Sequence, residues 1–188
     1  SIGMPAPVGV AGSIVDVGGY PASWALSPVQ PSMLVFLNLH PPPAGTDRLW
    51  VVGDARAMPF RTAAVDLAFS NSVIEHVGDR PEQREMASEV ARVGRGFYLQ
   101  TPNHFFPVEL HTLTPCFHFL PLRWRLKLIR FTVWALVTRP TAERASTLAR
   151  EINLLKPAEL SAMFPGATLR RERLAGFTKS LIVWSRPA

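Results

Sequence analysis

Short runs of apolar, largely β-branched residues recur along the first half of the chain, and each run ends at a polar residue or a glycine. Runs of four to seven residues that are apolar on both faces are typical of buried parallel strands. Five such strands are predicted, at residues 13–17, 33–37, 49–52, 65–69 and 97–101. Because the carboxyl ends of parallel strands meet at one edge, we expect an α/β sheet with a row of polar residues there.

Periodicity changes to that of a helix between the fourth and fifth predicted strands. Residues 81–93 begin with a proline, carry glutamates early and an arginine late, and place Met86, Val90 and Val93 on one face. A second helix is predicted over residues 153–164, with its main body starting at Pro157. Residues 167–174 and 179–184 then predict two strands joined at Gly176, which we expect to form an antiparallel edge of the sheet.

Residues 104–150 do not follow this alternation. They contain three histidines, five phenylalanines and two tryptophans, and the part from 120 to 150 has seven basic residues and one acid. The other residues of the chain are balanced in charge, so the net charge of +6 is concentrated in this segment. A structureless loop of this length is uncommon inside a domain. We therefore interpret residues 1–188 as a single domain, with an inserted basic and aromatic cap at 104–150.

Composition excludes several classes of protein. With 47% hydrophobic and 18% charged residues, the chain of 188 residues has the composition of a globular domain. No run of about 18 uncharged apolar residues occurs, so no transmembrane span is expected. The single cysteine, Cys116, cannot form an intrachain disulfide. We expect a cytoplasmic location.

The polar residues at the predicted strand ends suit a nucleotide-like ligand. Gly18 and Gly19 follow the first strand, where a tight turn lets the backbone approach a ligand closely. Asn38 follows the second strand and can bind ribose hydroxyls, and Asp54 follows the third and can accept from an exocyclic amine. Asn71, after the fourth strand, would face the reacting end of the ligand.

Four sequence pieces occur in a distinctive order between residues 51 and 103. They are GDARAMPF at 53–60, VDL at 65–67 with SVIEHV at 72–77, EVARV at 89–93, and TPN at 101–103. Together they resemble the class I S-adenosylmethionine-dependent methyltransferases, in particular the small-molecule branch. The resemblance implies a Rossmann-like sheet, S-adenosyl-L-methionine as cofactor, and a methyltransferase activity.

By position, the resemblance also assigns contacts with the cofactor to eight residues. These are Asp16, Gly18 and Gly19 around the methionine part, Asn38 at the ribose, Asp54 and Ala55 at the adenine, and Asn71 and Ser72 beside the methyl group.

Three positions differ from the family pattern. Tyr20 and Pro21 stand where further glycines are usual, and Asn38 stands where an acid is usual. These differences favour a second hypothesis, in which the chain is a non-catalytic, methyltransferase-like binding protein. It would use the basic and aromatic cap at a membrane or at a partner surface.

Histidines after the fourth and fifth strands are the candidates for acceptor activation. Imidazole is a suitable general base near neutral pH, and we expect His111 to act as the base, Glu109 to orient it and His76 to assist. In some relatives a Glu-Val-Ile-Glu-His run supports a metal ion, but Ser72 replaces its first glutamate here, so no metal is expected. The predicted reaction is O-methylation of a small-molecule, sugar or lipid-linked acceptor. Residues 107–112 and 118–121 are similar to bacterial methyltransferase-like proteins of cell-surface or secondary metabolism.

Residues 120–137 bear on the partners of the protein. Basic residues here alternate with Leu, Trp, Ile and Phe, a pattern that indicates peripheral contact with an anionic membrane or a wall for a lipid-linked acceptor. A cap helix packed on the sheet, or a homodimer contact, stays open as the alternative. Nucleic acid is not the expected partner, because NSVI at 71–74 lacks the Asn-Pro-Pro-aromatic pattern of base-amine methyltransferases.

Overall fold

The computed structural model describes residues 12–25, 27–28 and 30–186. Within these ranges, no helix combines the length and the apolar content that a membrane crossing requires.

Nine strands and six α-helices make up the described chain. The strands are β1 (Ser13–Val17), β2 (Met33–Asn38), β3 (Leu49–Val52), β4 (Val65–Asn71), β5 (Gly94–Pro102), β6 (Val108–Glu109), β7 (Thr114–Pro115), β8 (Thr168–Leu174) and β9 (Phe177–Ser185). The helices are α1 (Pro21–Trp24), α2 (Arg80–Val93), α3 (Leu122–Leu128), α4 (Val133–Thr138), α5 (Ala142–Glu151) and α6 (Pro157–Met163). Single 3-10 turns span Ile74–His76, Phe117–Phe119 and Ile129–Phe131.

Seven strands form one sheet in the order β3-β2-β1-β4-β5-β9-β8. Strands β1 to β5 are parallel, and β9 is antiparallel to both β5 and β8. The predicted fold class is confirmed: this is a mostly parallel α/β sheet with an antiparallel C-terminal edge. The strand order reverses direction between β1 and β4, which is the place where open α/β sheets bind ligands.

The two faces of the sheet are covered unequally. One face packs against α2 and α6, and its core includes Met86, Val90 and Leu160. The other face carries a smaller cluster around Ile14 and Leu67. No helix lies between β2 and β3 or between β3 and β4, since the crossovers at 39–48 and 53–64 are short.

Capping and charge stabilise the two ends of helix α2. Asp79 caps its first turn by accepting from the Glu82 N–H, and the Glu82 side chain accepts from the Asp79 N–H in return. Arg92 in the last turn is favourable for the helix dipole. The helix starts one residue before the predicted position, and Gly94 begins β5 directly.

The expected helix over 153–164 is shorter than predicted. Helix α6 begins at Pro157, because the preceding residues make hydrogen bonds outside any helix. Asn153 donates its N–H to the Glu75 carbonyl at 3.0 Å, and Leu155 accepts from the His104 N–H at 3.0 Å. The predicted C-terminal strand pair is present, and Ala175 and Gly176, both at positive φ, make its two-residue turn.

The segment predicted as a cap contains strands β6 and β7 and helices α3, α4 and α5. It has its own apolar cluster, with Phe117, Ile129, Ala145 and Ala149 buried. Helix α3, by contrast, buries none of its residues.

Candidate functional site

A cavity of about 440 Å³ opens at the carboxyl ends of β1, β2, β3 and β4. Most of its lining residues lie in the first turns after these strands. They are Val17, Gly18, Tyr20, Leu37, Asn38, Leu39, His40, Gly53, Asp54, Ala55, Arg56, Ser72, Val73, His76, Val77, Gly78 and Glu82.

The turn after β1 requires a glycine at position 18. Gly18 has φ +78, and a Cβ placed there would lie 2.6 Å from Cγ2 of Val73. Its N–H donates to the Leu37 carbonyl at 2.8 Å, which ties the turn to the end of β2. The backbone therefore borders the cavity without a side chain in between.

Asp16 is buried beneath this turn instead of lining the cavity. The Trp24 indole donates from Nε1 to Asp16 Oδ2 at 2.7 Å. Burial raises the pKa of Asp16 to about 7, although the Trp24 hydrogen bond opposes the rise. Sequence reasoning did not find this pair, since nothing in the spacing shows that α1 folds back onto β1.

The ends of β2 and β3 place polar side chains on the cavity wall. Asn38 lines the cavity and donates from Nδ2 to the Gly19 carbonyl at 2.9 Å. Arg56 donates to both carboxylate oxygens of Asp54 at distances from 2.6 to 3.1 Å, and it also contacts Glu82. These hydrogen bonds hold the pKa of Asp54 below its usual range.

Strand β4 ends in a strained turn. Ser72 has φ +56 and lines the cavity, and its hydroxyl donates to Asn71 Oδ1 at 3.3 Å. Asn71 is exposed and does not line the cavity.

Two histidines and a glutamate from different parts of the chain meet at one wall of the cavity. The Nε2 atoms of His76 and His111 lie 3.0 Å apart, and the two rings pack edge to face. Glu109 Oε1 lies 2.6 Å from His111 Nδ1 and also accepts from the His111 N–H. Of the three side chains, His76 lines the cavity, and His111 and Glu109 lie behind it.

The hairpin of β6 and β7 accounts for the position of Glu109. This carboxylate is fully buried, and its Oε2 accepts from the Thr112 N–H at 2.6 Å. Burial opposes its ionisation, but the hydrogen bonds from His111 outweigh burial and lower its pKa. An ionised carboxylate only accepts hydrogen bonds, so His111 must carry a proton on Nδ1.

The two imidazoles have opposite shifts in pKa. Burial lowers the pKa of His76 to about 4, and the charge of His111 adds to this effect. For His111, burial acts in the same direction, but the hydrogen bond and the charge of Glu109 outweigh it and raise the pKa. The pair therefore combines a neutral imidazole with one that readily holds a proton.

Glu75 is a further buried acid at this wall. Its Oε2 accepts from the Thr101 hydroxyl at 2.9 Å, and its Oε1 lies 4.0 Å from His111 Nε2. Burial raises the pKa of Glu75 to about 7. Sequence reasoning noted Glu75 beside His76 but did not place it in the site, because its burial depends on the packing of the 3-10 turn against β5.

The structure brings most of the predicted site residues to one region. Five of the eight expected cofactor contacts line the cavity, namely Gly18, Asn38, Asp54, Ala55 and Ser72. Asp16, Gly19 and Asn71 lie next to it without lining it. Sequence reasoning missed four polar residues at or beside the site, which are His40, Arg56, Glu75 and Glu82. For Arg56 a signal existed, since it follows Asp54 by two positions.

Comparisons with known proteins agree with this fold. Residues 29–96 match the family model described as a methyltransferase domain. No curated protein sequence matches the chain. The resemblance to class I S-adenosylmethionine-dependent methyltransferases is therefore confirmed by the sheet topology and by this partial match.

Solved structures with the same fold cover most of the chain. An S-adenosylmethionine-dependent methyltransferase from Methanosarcina mazei is 14% identical, with a TM-score of 0.52 over 94% of this chain and 92% of that one. The 1,6-didemethyltoxoflavin N1-methyltransferase of Burkholderia thailandensis, solved with 1,6-didemethyltoxoflavin and S-adenosylhomocysteine, is 13% identical, with a TM-score of 0.54 over 94% and 71%. A Rhodobacter sphaeroides protein described as a zinc-dependent alcohol dehydrogenase is 14% identical, with a TM-score of 0.62 over 94% and 85%. At these identities the likeness establishes the fold alone.

Proposed function

We propose that this protein transfers a methyl group from S-adenosyl-L-methionine to a hydroxyl oxygen of a small-molecule, sugar or lipid-linked acceptor. The observation that carries the proposal is the cavity at the strand ends. There Gly18, Asn38 and Asp54 line one pocket, and His76 lines the same pocket. Its volume of about 440 Å³ is in the range of small-molecule sites.

The cofactor would lie across the ends of β1, β2 and β3. Gly18 would pass close to its methionine part, Asn38 would bind the ribose, and Asp54 with Ala55 would contact the adenine. Because Arg56 already binds the Asp54 carboxylate, the carboxylate is held in one orientation before any ligand enters. The S-adenosylhomocysteine and 1,6-didemethyltoxoflavin bound by the Burkholderia N1-methyltransferase support this cofactor and a small-molecule acceptor.

The reaction itself is an in-line displacement. A lone pair of the acceptor oxygen forms a bond to the methyl carbon, and the carbon–sulfur bond breaks with its electrons going to sulfur. The products are the methyl ether, S-adenosylhomocysteine and the proton of the acceptor hydroxyl. Positioning supplies much of the rate of such a step, and removal of the proton makes the oxygen a better nucleophile.

Acceptor activation would occur at His76, His111 and Glu109. Glu109 fixes the ring of His111 through Nδ1, which leaves Nε2 directed at His76, the residue that lines the cavity. This geometry supports the roles predicted for His111 and Glu109. His76, which lines the cavity, would be the group nearest to the acceptor.

Calorimetric titration with S-adenosylhomocysteine tests the cofactor site. We expect a micromolar Kd, and we expect Asp54→Ala to weaken binding about tenfold by loss of one charge-assisted hydrogen bond. Asp47→Ala is the matched control, because Asp47 is an exposed acid outside the cavity and its loss should leave the Kd unchanged. No heat at millimolar ligand would refute the proposal. After binding is established, a screen of hydroxyl acceptors with labelled methyl donor tests the reaction.

A second candidate function is favoured by the exposed surface of the cap. Eight large apolar side chains between residues 119 and 137 are exposed, and we call them, with the exposed basic residues among them, the cap surface. These eight are Phe119, Leu122, Trp124, Leu128, Phe131, Val133, Leu136 and Val137. Exposed Arg123, Lys127 and Arg130 lie in the same segment, exposed Arg139 follows it, and residues 110–142 contain no acid.

An anionic membrane matches both properties of the cap surface. Apolar and aromatic side chains can enter the interface while basic side chains bind lipid headgroups. Self-association through the same surface would bring like charges together, which disfavours it. The second candidate is thus a protein that docks on anionic lipid, either to reach a lipid-linked acceptor or, without catalysis, as a membrane-bound scaffold.

Vesicle co-sedimentation tests whether the cap surface docks on anionic lipid. Arg123, Lys127 and Arg130 changed to glutamate should abolish binding to phosphatidylglycerol vesicles. Arg125 is left unchanged, since it donates to the Ile152 carbonyl at 3.1 Å and supports the fold. A control variant with three exposed arginines outside the cap, Arg61, Arg84 and Arg171, changed to glutamate should still bind. The membrane hypothesis would be refuted if the wild type bound neutral phosphatidylcholine vesicles equally well. It would also be refuted if the wild type bound neither kind of vesicle.

A further inference from the structure

The Glu75 carboxylate is buried and only half satisfied by hydrogen bonds. Its side chain has no exposed surface, and the oxygen Oε1 finds no hydrogen-bond partner among the described residues. A buried polar atom without a partner is costly, and a buried charge costs more. The other oxygen is held by Thr101 at 2.9 Å, so the carboxylate is fixed with its unpartnered oxygen toward the histidines.

The two histidines present nitrogen atoms to the same point. His111 Nδ1 is held by Glu109, which leaves the lone pair of the other nitrogen, Nε2, available when the ring is neutral. That atom lies 3.0 Å from His76 Nε2 and 4.0 Å from Glu75 Oε1. Donor atoms from Glu75, His76 and His111 can all be chosen within 4.8 Å of one another.

These separations match the coordination sphere of a metal ion. A tetrahedral zinc ion with ligands at about 2.1 Å holds its donor atoms about 3.4 Å apart. The separations of 3.0 and 4.0 Å lie on either side of that value, and the three donor atoms all lie within 4.8 Å of one another. Small side-chain movements would therefore bring all three donors to bonding distance.

The surroundings of the three donors also fit a metal ion. A histidine ligand commonly donates its second nitrogen to a carboxylate, as His111 does to Glu109. Two buried acids, Glu75 and Glu109, lie near this point, and a divalent cation would balance both charges. Arg125 also acts on Glu109 electrostatically, but its guanidinium donates to the Ile152 carbonyl.

We propose that Glu75, His76 and His111 bind a divalent transition-metal ion of the zinc type, with Thr101 and Glu109 orienting the ligands. Two imidazoles and one carboxylate favour such an ion over magnesium or calcium, which prefer oxygen ligands. Three protein ligands are typical of catalytic zinc sites, where the fourth position binds water or substrate. Because His76 lines the cavity, the three ligands lie at the wall of the pocket.

The proposal that the ion binds is argued from geometry alone. Only the role of the ion in catalysis rests on the proposed function. A metal-bound hydroxyl loses its proton at a lower pH than a free one. In the metal-bound protein His111 is a ligand, so the acceptor proton would go to solvent instead of to this imidazole. The acceptor class that suits the site is a hydroxyl compound able to coordinate the ion, such as a phenol or a vicinal diol.

Cobalt substitution provides a test that does not depend on activity. The full chain is freed of metal with a chelator and titrated with Co²⁺, whose visible absorption reports coordination by protein ligands. We expect one equivalent to bind and excess Zn²⁺ to displace it. Glu75→Gln should abolish the absorption band, and Glu109→Gln should weaken binding roughly 10–100-fold. Glu89→Gln and His104→Ala are the matched controls, and both should bind Co²⁺ like the wild type.

Each outcome has a definite meaning. Binding of Co²⁺ with unchanged affinity to Glu75→Gln would place the ion elsewhere and overturn the proposal, as would the absence of binding in the wild type. Without metal, the Glu75→Gln variant should unfold at the same temperature as the wild type or at a higher one, because glutamine is a neutral isostere of the buried acid. This measurement distinguishes loss of metal binding from loss of fold. S-adenosylhomocysteine binding by the metal-free chain is measured in parallel. If it persists while Co²⁺ binding fails, the metal site is refuted and the cofactor site stands.

Discussion

Replacing Asp16 by asparagine should stabilise the protein in a manner that depends on pH. Asp16 is 1% exposed, and burial raises its pKa from the ordinary 3.8 to about 7. The folded protein therefore keeps a proton that the unfolded chain releases above pH 3.8. Wild-type stability falls as the pH rises from 3.8 to 7, whereas the asparagine variant, which cannot ionise, escapes this loss.

The size of the effect follows from the same two values. The interval from 3.8 to about 7 corresponds to about 4 kcal/mol, because one pKa unit is worth about 1.4 kcal/mol. Asparagine can still accept the Trp24 hydrogen bond through its amide oxygen. The variant should thus equal the wild type near pH 4 and exceed it by up to about 4 kcal/mol at pH 7 and above.

Urea denaturation at several values of pH from 4 to 8.5 measures this difference. Asp66→Asn is a control of opposite sign, since hydrogen bonds from Ser13 lower the pKa of Asp66. That variant should be less stable than the wild type by a nearly constant amount from pH 8.5 to 4, because the stabilisation from a lowered carboxyl pKa is lost only below the unfolded value of 3.8. A free energy of unfolding for Asp16→Asn that differs from the wild type by the same amount at pH 5 and pH 8 would refute the reasoning.

Three further substitutions test other parts of the structure. Gly18→Ala should lower the free energy of unfolding more than Gly45→Ala does. At either position an alanine with positive φ costs about 1–2 kcal/mol, but only at position 18 does the new Cβ also meet a valine side chain. Calorimetry should in addition show weaker S-adenosylhomocysteine binding for Gly18→Ala alone. Leu99→Ala, in the fully buried centre of β5, should lose about 2–5 kcal/mol in urea denaturation, whereas Leu174→Ala on the exposed edge should change stability by less than about 0.5 kcal/mol. Arg80→Lys should lower the free energy of unfolding by roughly 1–2 kcal/mol. A lysine cannot reproduce the several hydrogen bonds by which Arg80 joins α2 to α6 and to the residues before it. An unchanged unfolding midpoint would contradict that account.

The sheet could be predicted from the sequence because its strands are short, continuous apolar runs. Residues 33–37 and 49–52 are such runs, and both are strands in the structure. Helix boundaries were harder to predict. Asn153 and Leu155 fit a helical pattern, but their hydrogen bonds to Glu75 and His104 hold them outside α6. Tertiary partners of this kind cannot be read from local propensity.

The candidate site was predicted in part. Glu109 and His111 are two positions apart, and the structure places them in hydrogen-bond contact. Their catalytic roles stay a prediction. The approach of His76 to His111 depends on a contact across 35 positions, and the burial of Glu75 depends on packing against β5. Neither has a local signal in the sequence.

The two ends of the cap segment are joined to each other. Asn103 pairs with Leu155 as an isolated bridge, and the His104 N–H donates to the Leu155 carbonyl at 3.0 Å. Evolution can therefore lengthen, shorten or exchange the residues between these points without reopening the sheet, because the closure of the loop is already made. Such an exchange would remove His111 and Glu109 but keep Glu75, His76 and the cofactor cavity. The fold thus separates a constant part that would hold the methyl donor from a replaceable part that would determine the acceptor.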